Sequence, residues 1–388
     1  MNDTRTKLVR ACRLLLAVGL IAFAAALAFG QAERAWQAYL VNFVFFTGIA
    51  ECGVVLSAAY QVAKGQWGEP VRRLGESLSF FFPVSLALFL VLMFFGAAHV
   101  FPWVRHPAPG KELWLNLPFL AARDLVVFVV VFGLSAAYVY YSQRPALHAA
   151  ASSGILRHSR LIDRWTSGAG SAEDDRRCAE RTRTLAPLVL IAFGAGFSLI
   201  GFDLVMSLDP SWYSTLFGWY FWVSAAYGAI AWLAFSAPFL GLVDTRQSHD
   251  LGKLLFGFCL LTGGFFWAQW LVFWYGNLPE EIGYVIRRYY EMPFAPLAWV
   301  MTYGVFIVPL IILLSRDLKR KPKRLMAMAI WILAMLWLER YLWVVPSVWH
   351  GGGAPLAIEL LVTAGFLGGF GWGWMAHIRR IAVLGGRA

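Results

Sequence analysis

The chain of 388 residues is 60% hydrophobic and 16% aromatic, with only 14% charged residues and a mean hydropathy of +0.62. These values exclude an ordinary soluble domain and are typical of a polytopic membrane protein. The formal net charge of +11 is dispersed over six separate segments between apolar runs, so we predict no nucleic-acid partner.

Apolar runs predict an all-α integral membrane protein with ten transmembrane helices. A helix needs about 20 residues to cross a hydrocarbon core of roughly 30 Å, and backbone groups in lipid must be hydrogen-bonded within the segment. The predicted spans are 14–32, 37–63, 79–100, 117–141, 185–207, 214–242, 254–276, 294–315, 325–347 and 355–377.

Basic residues outside these spans predict the orientation, because Lys and Arg near span ends resist translocation. Twenty-six of them fall on the side of the N-terminus, and five fall on the other side: Arg34, Arg105, Lys111, Arg287 and Arg288. We therefore predict a multi-pass protein of the bacterial inner membrane with both termini cytoplasmic. Small residues at 24–28 permit a cleaved signal peptide, but the long apolar run favours an uncleaved first helix.

The only long polar segment, 142–184, divides the predicted spans into two groups. Its composition predicts a cytoplasmic linker, with room for a short helix. The predicted organisation is an N-terminal helix (1–36), a first half of the membrane domain (37–141), the linker, remaining core helices (185–350), and a C-terminal helix with its tail (351–388).

Polar residues within the spans are the candidates for function, because intramembrane charges are costly and are usually paired or functional. Glu51 is near the centre of its span. The others map to the outer half or outer edge of six helices, which favours a polar chamber opening outward: His99, Arg123, Asp124, Asp203, Gln269, Glu339, Arg340 and Glu359.

The alternative is that these residues form ion pairs that only hold helices together. Arg123 would then face Asp124 or Asp203, and Arg340 would face a carboxylate of another helix. Because adjacent helical residues point roughly 100° apart, we expect Glu339 and Arg340 to contact different neighbours.

No haem, iron–sulfur cluster or other metal site is expected in this chain. The seven histidines offer no facing pair of axial ligands, and the four cysteines lack the spacing of a cluster, a zinc site or a disulfide framework. Any electron transfer would therefore use carriers in partner subunits.

Three segments carry a resemblance to a known family: 115–119 with Arg123, 203–215, and 274–281. In these segments, and over nearly its whole length, the chain resembles the NrfD-like membrane subunits of the polysulfide reductase family. It is most similar to the second NrfD-like membrane subunit of alternative complex III, a quinol:cytochrome c oxidoreductase. The positions that match the family pattern are Arg123, Asp203, Asp209, Asn277, Glu280 and Glu281.

The resemblance implies two four-helix bundles plus flanking helices and no prosthetic group in this subunit. It also implies quinol as a possible bound substrate on the outer side. The implied partners are a paralogous NrfD-like membrane subunit, an iron–sulfur subunit and c-type cytochrome subunits.

The leading hypothesis is a membrane subunit of a respiratory quinol-oxidising complex. His99, Arg123 and Asp203 would bind quinol, since a histidine at this depth can accept a hydroxyl proton near neutral pH and Asp203 can take the next proton. The proton pathway would use Glu51, Asp124, Glu339, Arg340 and Glu359.

Two other functions fit the same charges. One is a structural and proton-conducting subunit without its own quinone site. The other is a secondary transporter, which the scattered prolines disfavour because such proteins use paired helix breaks near the midplane.

Overall fold

A computed structural model describes residues 2–65, 68–152, 165, 170–349, 351 and 356–380, except for the side chains of 2–5, 280, 379 and 380. All regular elements in this part of the chain are helices, as predicted. Nine of them are long and apolar enough to cross a membrane.

The main helices follow the predicted spans in chain order. They are α1 (Asn2–Ala28), α2 (Ala32–Val62), α3 (Glu69–Val100), α4 (Leu117–Ser152), α5 (Ala172–Leu204), α6 (Phe217–Phe239), α7 (Thr245–Gly276), α8 (Pro279–Tyr289), α9 (Phe294–Leu313), α10 (Pro322–Val348) and α11 (Ala357–Arg380).

Two of these helices are not among the nine. α8 is a short helix between spans. α11 occupies the tenth predicted span, but its glycines and Glu359 lower its mean hydropathy. The polar segment 142–184 is helical at both ends, because α4 continues to Ser152 and α5 begins at Ala172.

Helices α2 and α6 form the centre of the molecule and are buried along almost their whole length. Both are apolar around their full circumference, which is typical of a helix surrounded by other helices. α2 packs against α3, α5, α6, α10 and α11. In contrast, α1 is largely exposed and lies against α11, where Gly19 faces Gly365 and the two backbones approach closely.

Consecutive spans alternate in direction across the membrane. We call the side on which α1 begins the inner side and the opposite side the outer side. α8 and the ends of α7 and α10 are therefore outer, and the start of α3 is inner.

Two spans contain irregular turns. α3 has a 3₁₀ segment at Ser77–Phe81 and a π-helical segment at Leu92–Gly96, and α9 has a π-helical segment at Tyr303–Ile307. Such π turns inside α-helices are frequently found at functional sites. The π turn of α9 borders a groove between α7 and α9.

Candidate functional site

The most connected buried charge is Glu339 on α10, whose side chain is fully shielded from solvent. The Tyr220 hydroxyl donates a hydrogen bond of 2.5 Å to Oε1, and the Ser224 hydroxyl donates to Oε2. Both donors are on α6. The carboxylate is therefore held by two hydroxyl groups that can also exchange protons.

Arg340 completes this network and corrects one prediction. Its Nη1 lies 2.5 Å from Oε2 of Glu339 and 3.1 Å from the Ser224 hydroxyl. Helix geometry predicts different neighbours for the two adjacent residues, but their long side chains bend back and share Ser224. The Arg340 guanidinium also lies 4.0 Å from the Trp343 ring centroid, a cation–π contact.

A small cavity of about 50 Å³ lies beside this network. Tyr220 and Trp343 line it, together with Gln269, Arg288 and Tyr289. The Gln269 amide nitrogen is buried and has no hydrogen-bond partner among the described residues. The space is sufficient for a few water molecules but too small for an aromatic ring.

A larger groove of about 460 Å³ adjoins the cavity between α7 and α9. The two spaces share the walls formed by Phe266, Trp270 and Tyr289. The lining of the groove is aromatic and aliphatic except for the Cys259 thiol and the hydroxyls of Tyr289 and Thr302. These two hydroxyl oxygens lie 2.9 Å apart. This volume lies in the range of roughly 300–1,000 Å³ that small-molecule sites occupy.

A second polar group joins α4 and α5 near the outer side. Arg123 Nε lies 2.6 Å from Oδ2 of Asp203, and the Trp114 indole donates a hydrogen bond of 3.0 Å to Oδ1. The guanidinium also lies 4.0 Å from the Trp114 ring centroid. This is the Arg123–Asp203 pairing that the ion-pair alternative predicts.

Asp124 lies next to this pair and is fully buried. Its carboxyl oxygens accept from no N–H or O–H donor among the described residues, but they lie within reach of the Asp203 carboxyl group. A proton shared with Asp203 supplies the hydrogen bond that the buried Asp124 otherwise lacks. Asp124 is thus the member of this group best placed to exchange a proton with Asp203.

His99 belongs to a different, more exposed group. Its Nδ1 lies 3.4 Å from Arg105, which also pairs with Glu33 at 3.1 Å. The contacts of the described residues do not connect His99 with Arg123 or Asp203. A quinol site formed by these three residues together is therefore not preassembled.

Glu51 lies in the centre of α2 and is completely buried. The Ser135 hydroxyl of α4 donates a hydrogen bond of 2.5 Å to Oε1, while Oε2 has no partner in the described part of the chain. The Sγ atom of its neighbour Cys52 lies 4.0 Å from the carbonyl oxygen of Trp222 on α6, between Tyr220 and Ser224. Glu51 is thus one residue from a contact with the part of α6 that holds Glu339.

Glu359 on α11 is held by Arg34 of α2. Arg34 donates from Nε and Nη2 at 3.0–3.2 Å to both carboxylate oxygens. Glu359 is fully buried, and Arg34 is 12% exposed. The outer polar residues thus form four groups rather than one chamber.

Two of the family-motif positions, Asp209 and Asn277, shape the outer loops. Asp209 accepts hydrogen bonds from Arg287 of α8 and from the Ser211 hydroxyl. Asn277 ends α7 in a left-handed conformation, with φ of 44°, which Asn tolerates better than most residues. Glu281 is half-buried in α8, and the side chain of Glu280 lies outside the described residues.

Several important residues escape prediction from the sequence. Tyr220 and Ser224 lie in an apolar span. The sequence does not show whether a hydroxyl in such a span binds a carboxylate or only packs against another helix. Arg288 counts as an outer basic residue by position, yet it is buried and donates to the carbonyls of Tyr284, Leu342 and Trp343. The spacing of Val285 and Tyr289, four residues apart on α8, is a signal of its buried face.

Comparison with known protein families gives a match over most of the chain. The model of the family described as polysulphide reductase, NrfD, matches residues 27–349. The matched region contains every group described above except Glu359. No curated protein matches the chain.

Proposed function

Because the chain belongs to the NrfD polysulphide reductase family, we propose that it binds quinol in the groove between α7 and α9 and accepts the quinol protons. Members of this family are multi-pass membrane subunits of polysulfide- or quinol-oxidoreductase complexes, and they typically partner with iron–sulfur subunits. The finer proposal concerns the substrate, the site and the route of the protons.

The observation that carries this proposal is the adjacency of three features. A lipid-facing groove of ligand size shares its wall with a cavity of water size, and the Glu339–Arg340 network borders that cavity through Tyr220. A ring in the groove can reach the Tyr289 and Thr302 hydroxyls. Water in the cavity can then connect them to Tyr220 and Glu339.

Quinol oxidation releases two protons and two electrons for each quinone formed. In the complete complex, an iron–sulfur cluster of a partner subunit would take the electrons. Each quinol proton passes through the cavity to Glu339, which releases it to water on the outer side before it accepts the next one. Arg340 holds the Glu339 carboxylate ready for this step.

The complex we favour is of the alternative complex III type, as the three motif segments suggest. The partners would be a paralogous NrfD-like subunit, an iron–sulfur subunit and c-type cytochromes, in a bacterial inner membrane with both termini cytoplasmic. A second position for quinol lies beside the Arg123–Asp203 pair and does not include His99. A pocket of about 260 Å³ beside Trp114 and Met206 supports that position.

A steric substitution tests the groove. A Cβ on Gly264 meets open space, and Gly264 lines the groove, so Gly264→Leu fills the groove without a clash in the protein. We expect the KM for quinol of the purified complex to rise about tenfold, by analogy with pocket contacts of 1–3 kcal/mol.

Gly257→Leu is the matched control. Gly257 lies two turns away on the same face of α7, also faces open space, and does not line the groove. Equal KM values for the two variants contradict the groove as the quinol site.

The alternative is a proton-conducting subunit without its own quinone site. It is favoured by the small volume of the cavity beside Tyr220 and by the partners that Glu339 already has. In that case Gly264→Leu leaves the KM unchanged, and Glu339→Gln lowers proton transfer while electron transfer continues.

A further inference from the structure

Another buried carboxylate lies near the inner side, far from the proposed quinol groove along the chain and in depth. Glu76 is the last residue of the first α-helical segment of α3, Glu69–Glu76, and is fully shielded from solvent. Its Oε1 accepts three hydrogen bonds of 2.7 Å, from Arg72, from Ser57 of α2 and from Ser142 of α4. Its Oε2 is buried and lacks a partner among the described residues.

The local backbone holds Glu76 in this position. α3 and α2 approach so closely that a Cβ on Gly75 would lie 2.5 Å from the carbonyl oxygen of Gly53. Directly after Glu76 the helix changes to the 3₁₀ segment Ser77–Phe81, which turns the chain toward the rest of the span. The two glycines therefore let a carboxylate of α3 reach both α2 and α4.

The cluster is accessible from the inner side. A pocket of about 290 Å³ is lined by Ser57, Tyr60 and Arg72. Arg72 also pairs with Glu69 at 2.8 Å, and the Glu69 side chain is 50% exposed. Water can thus reach the hydroxyl and the guanidinium that hold Glu76.

The cluster also points toward Glu51. The Tyr138 hydroxyl lies 3.0 Å from the Ser57 hydroxyl, and Tyr138 is one turn along α4 from Ser135, which binds Glu51. Ser57 and Glu51 are six residues apart on α2, about 9 Å along the helix axis. Tyr138 and one or two water molecules can span this distance.

We propose that Glu76 is a proton-uptake site on the inner side that supplies Glu51 through Ser57 and Tyr138. A proton taken up at Glu76 passes to Glu51, and the Glu339–Arg340 network releases one proton to the outer side for each proton that enters it, whether from Glu51 or from quinol. An ion pair that only stabilises the protein would not need the unpartnered oxygen, the adjoining pocket or the hydroxyl pair leading inward. The inference rests on the proposed function in one respect, because quinol turnover drives the proton uptake at Glu76.

The test uses the complete complex in proteoliposomes and compares Glu76→Gln with Glu69→Gln. Glu69 binds the same Arg72 but is half exposed, so it controls for loss of an Arg72 partner. We measure the number of protons taken up from the inner side for each electron transferred. We expect Glu76→Gln to lower this ratio at least about tenfold, because the loss of a proton-transfer group typically costs more than this. Electron transfer in detergent should stay within about twofold of the wild type.

A measurement without turnover separates this inference from the proposed function. In pH-jump infrared difference spectra of the resting complex, the wild type and Glu69→Gln should show a carboxyl signal that Glu76→Gln lacks. If quinol oxidation fails but this difference persists, the proposed function is wrong and the uptake site stands.

Identical spectra and identical proton uptake in the Glu76→Gln and Glu69→Gln complexes overturn the inference. If Glu76→Gln does not assemble, Ser57→Ala serves instead, because it keeps the Arg72–Glu76 pair and removes the first hydroxyl of the path. Unchanged proton uptake in Ser57→Ala likewise overturns the inference.

Discussion

Two buried ion pairs on the outer side look alike in sequence but differ in their surroundings. Glu339 and Glu359 are both fully shielded carboxylates paired with an arginine. Arg34 binds both oxygens of Glu359 and joins α2 to α11, whereas Glu339 also accepts hydrogen bonds from Tyr220 and Ser224 next to a cavity.

The comparison teaches that burial of a charge does not by itself indicate function. The Arg34–Glu359 pair lines none of the described cavities, and its bidentate geometry suits a structural link. Glu339 has hydroxyl partners and space for water, which proton transfer requires. Substitutions on both sides of the comparison test whether this difference in surroundings produces a difference in function.

The largest effect is expected for Arg340→Met. It leaves the Glu339 carboxylate buried without its cation, which typically costs about 3–5 kcal/mol. We expect a large loss of thermal stability of the purified complex, measured by unfolding in detergent. A loss below about 1 kcal/mol would show that Tyr220 and Ser224 alone satisfy the carboxylate.

Tyr220→Phe should separate catalysis from stability. It removes the hydroxyl that links the cavity to Glu339, so we expect quinol-dependent turnover to fall about 100-fold, at the low end for general acid–base groups. The loss of one hydrogen bond should cost only about 1 kcal/mol of stability.

Tyr341→Phe is the control for this prediction. Tyr341 is also a buried tyrosine, and its hydroxyl has no hydrogen-bond partner in the described part of the chain. Turnover should remain within about twofold of the wild type. Equal turnover in both tyrosine variants would remove Tyr220 from the proton route.

Arg34→Met tests the structural pair. It removes the cation of the buried Glu359 carboxylate, but Arg34 is 12% exposed, so water can replace part of the contact. The loss of stability should therefore be about 1.5–3 kcal/mol, the value of hydrogen bonds to charged groups. Turnover per assembled complex should not change. A loss of turnover without a loss of assembly would place this pair in the proton route after all.

The smallest effect is expected for Trp114→Phe. The substitution removes the hydrogen bond to Asp203 at a cost of about 1 kcal/mol and retains an aromatic face for Arg123. If quinol binds in the groove, its KM should be unchanged in steady-state assays. A raised KM would favour the second position beside Arg123 and Asp203.

The helical spans can be predicted from the sequence because length and hydropathy alone determine what can cross a bilayer. The Arg123–Asp203 pair is also predictable, since intramembrane charges seek partners. In contrast, the sharing of Ser224 by Glu339 and Arg340 depends on side-chain reach across a helix interface. No single-helix projection contains that information.

Glu76 shows the same limit from another direction. It lies in the polar stretch before the predicted third span, where a carboxylate looks like an ordinary solvent-facing charge. Only the close approach of Gly53 and Gly75, together with hydroxyls from α2 and α4, makes it a buried site. Such convergence of distant segments is tertiary and leaves no local pattern.

The most direct measurement is a structure of the complete complex with a bound quinone analogue. We expect ring density between α7 and α9, bounded by Phe266 and Trp270, with a polar substituent near the Tyr289 hydroxyl. Ring density beside Trp114 and Arg123, or a groove filled by lipid while the analogue binds a partner subunit, would contradict the proposed quinol site.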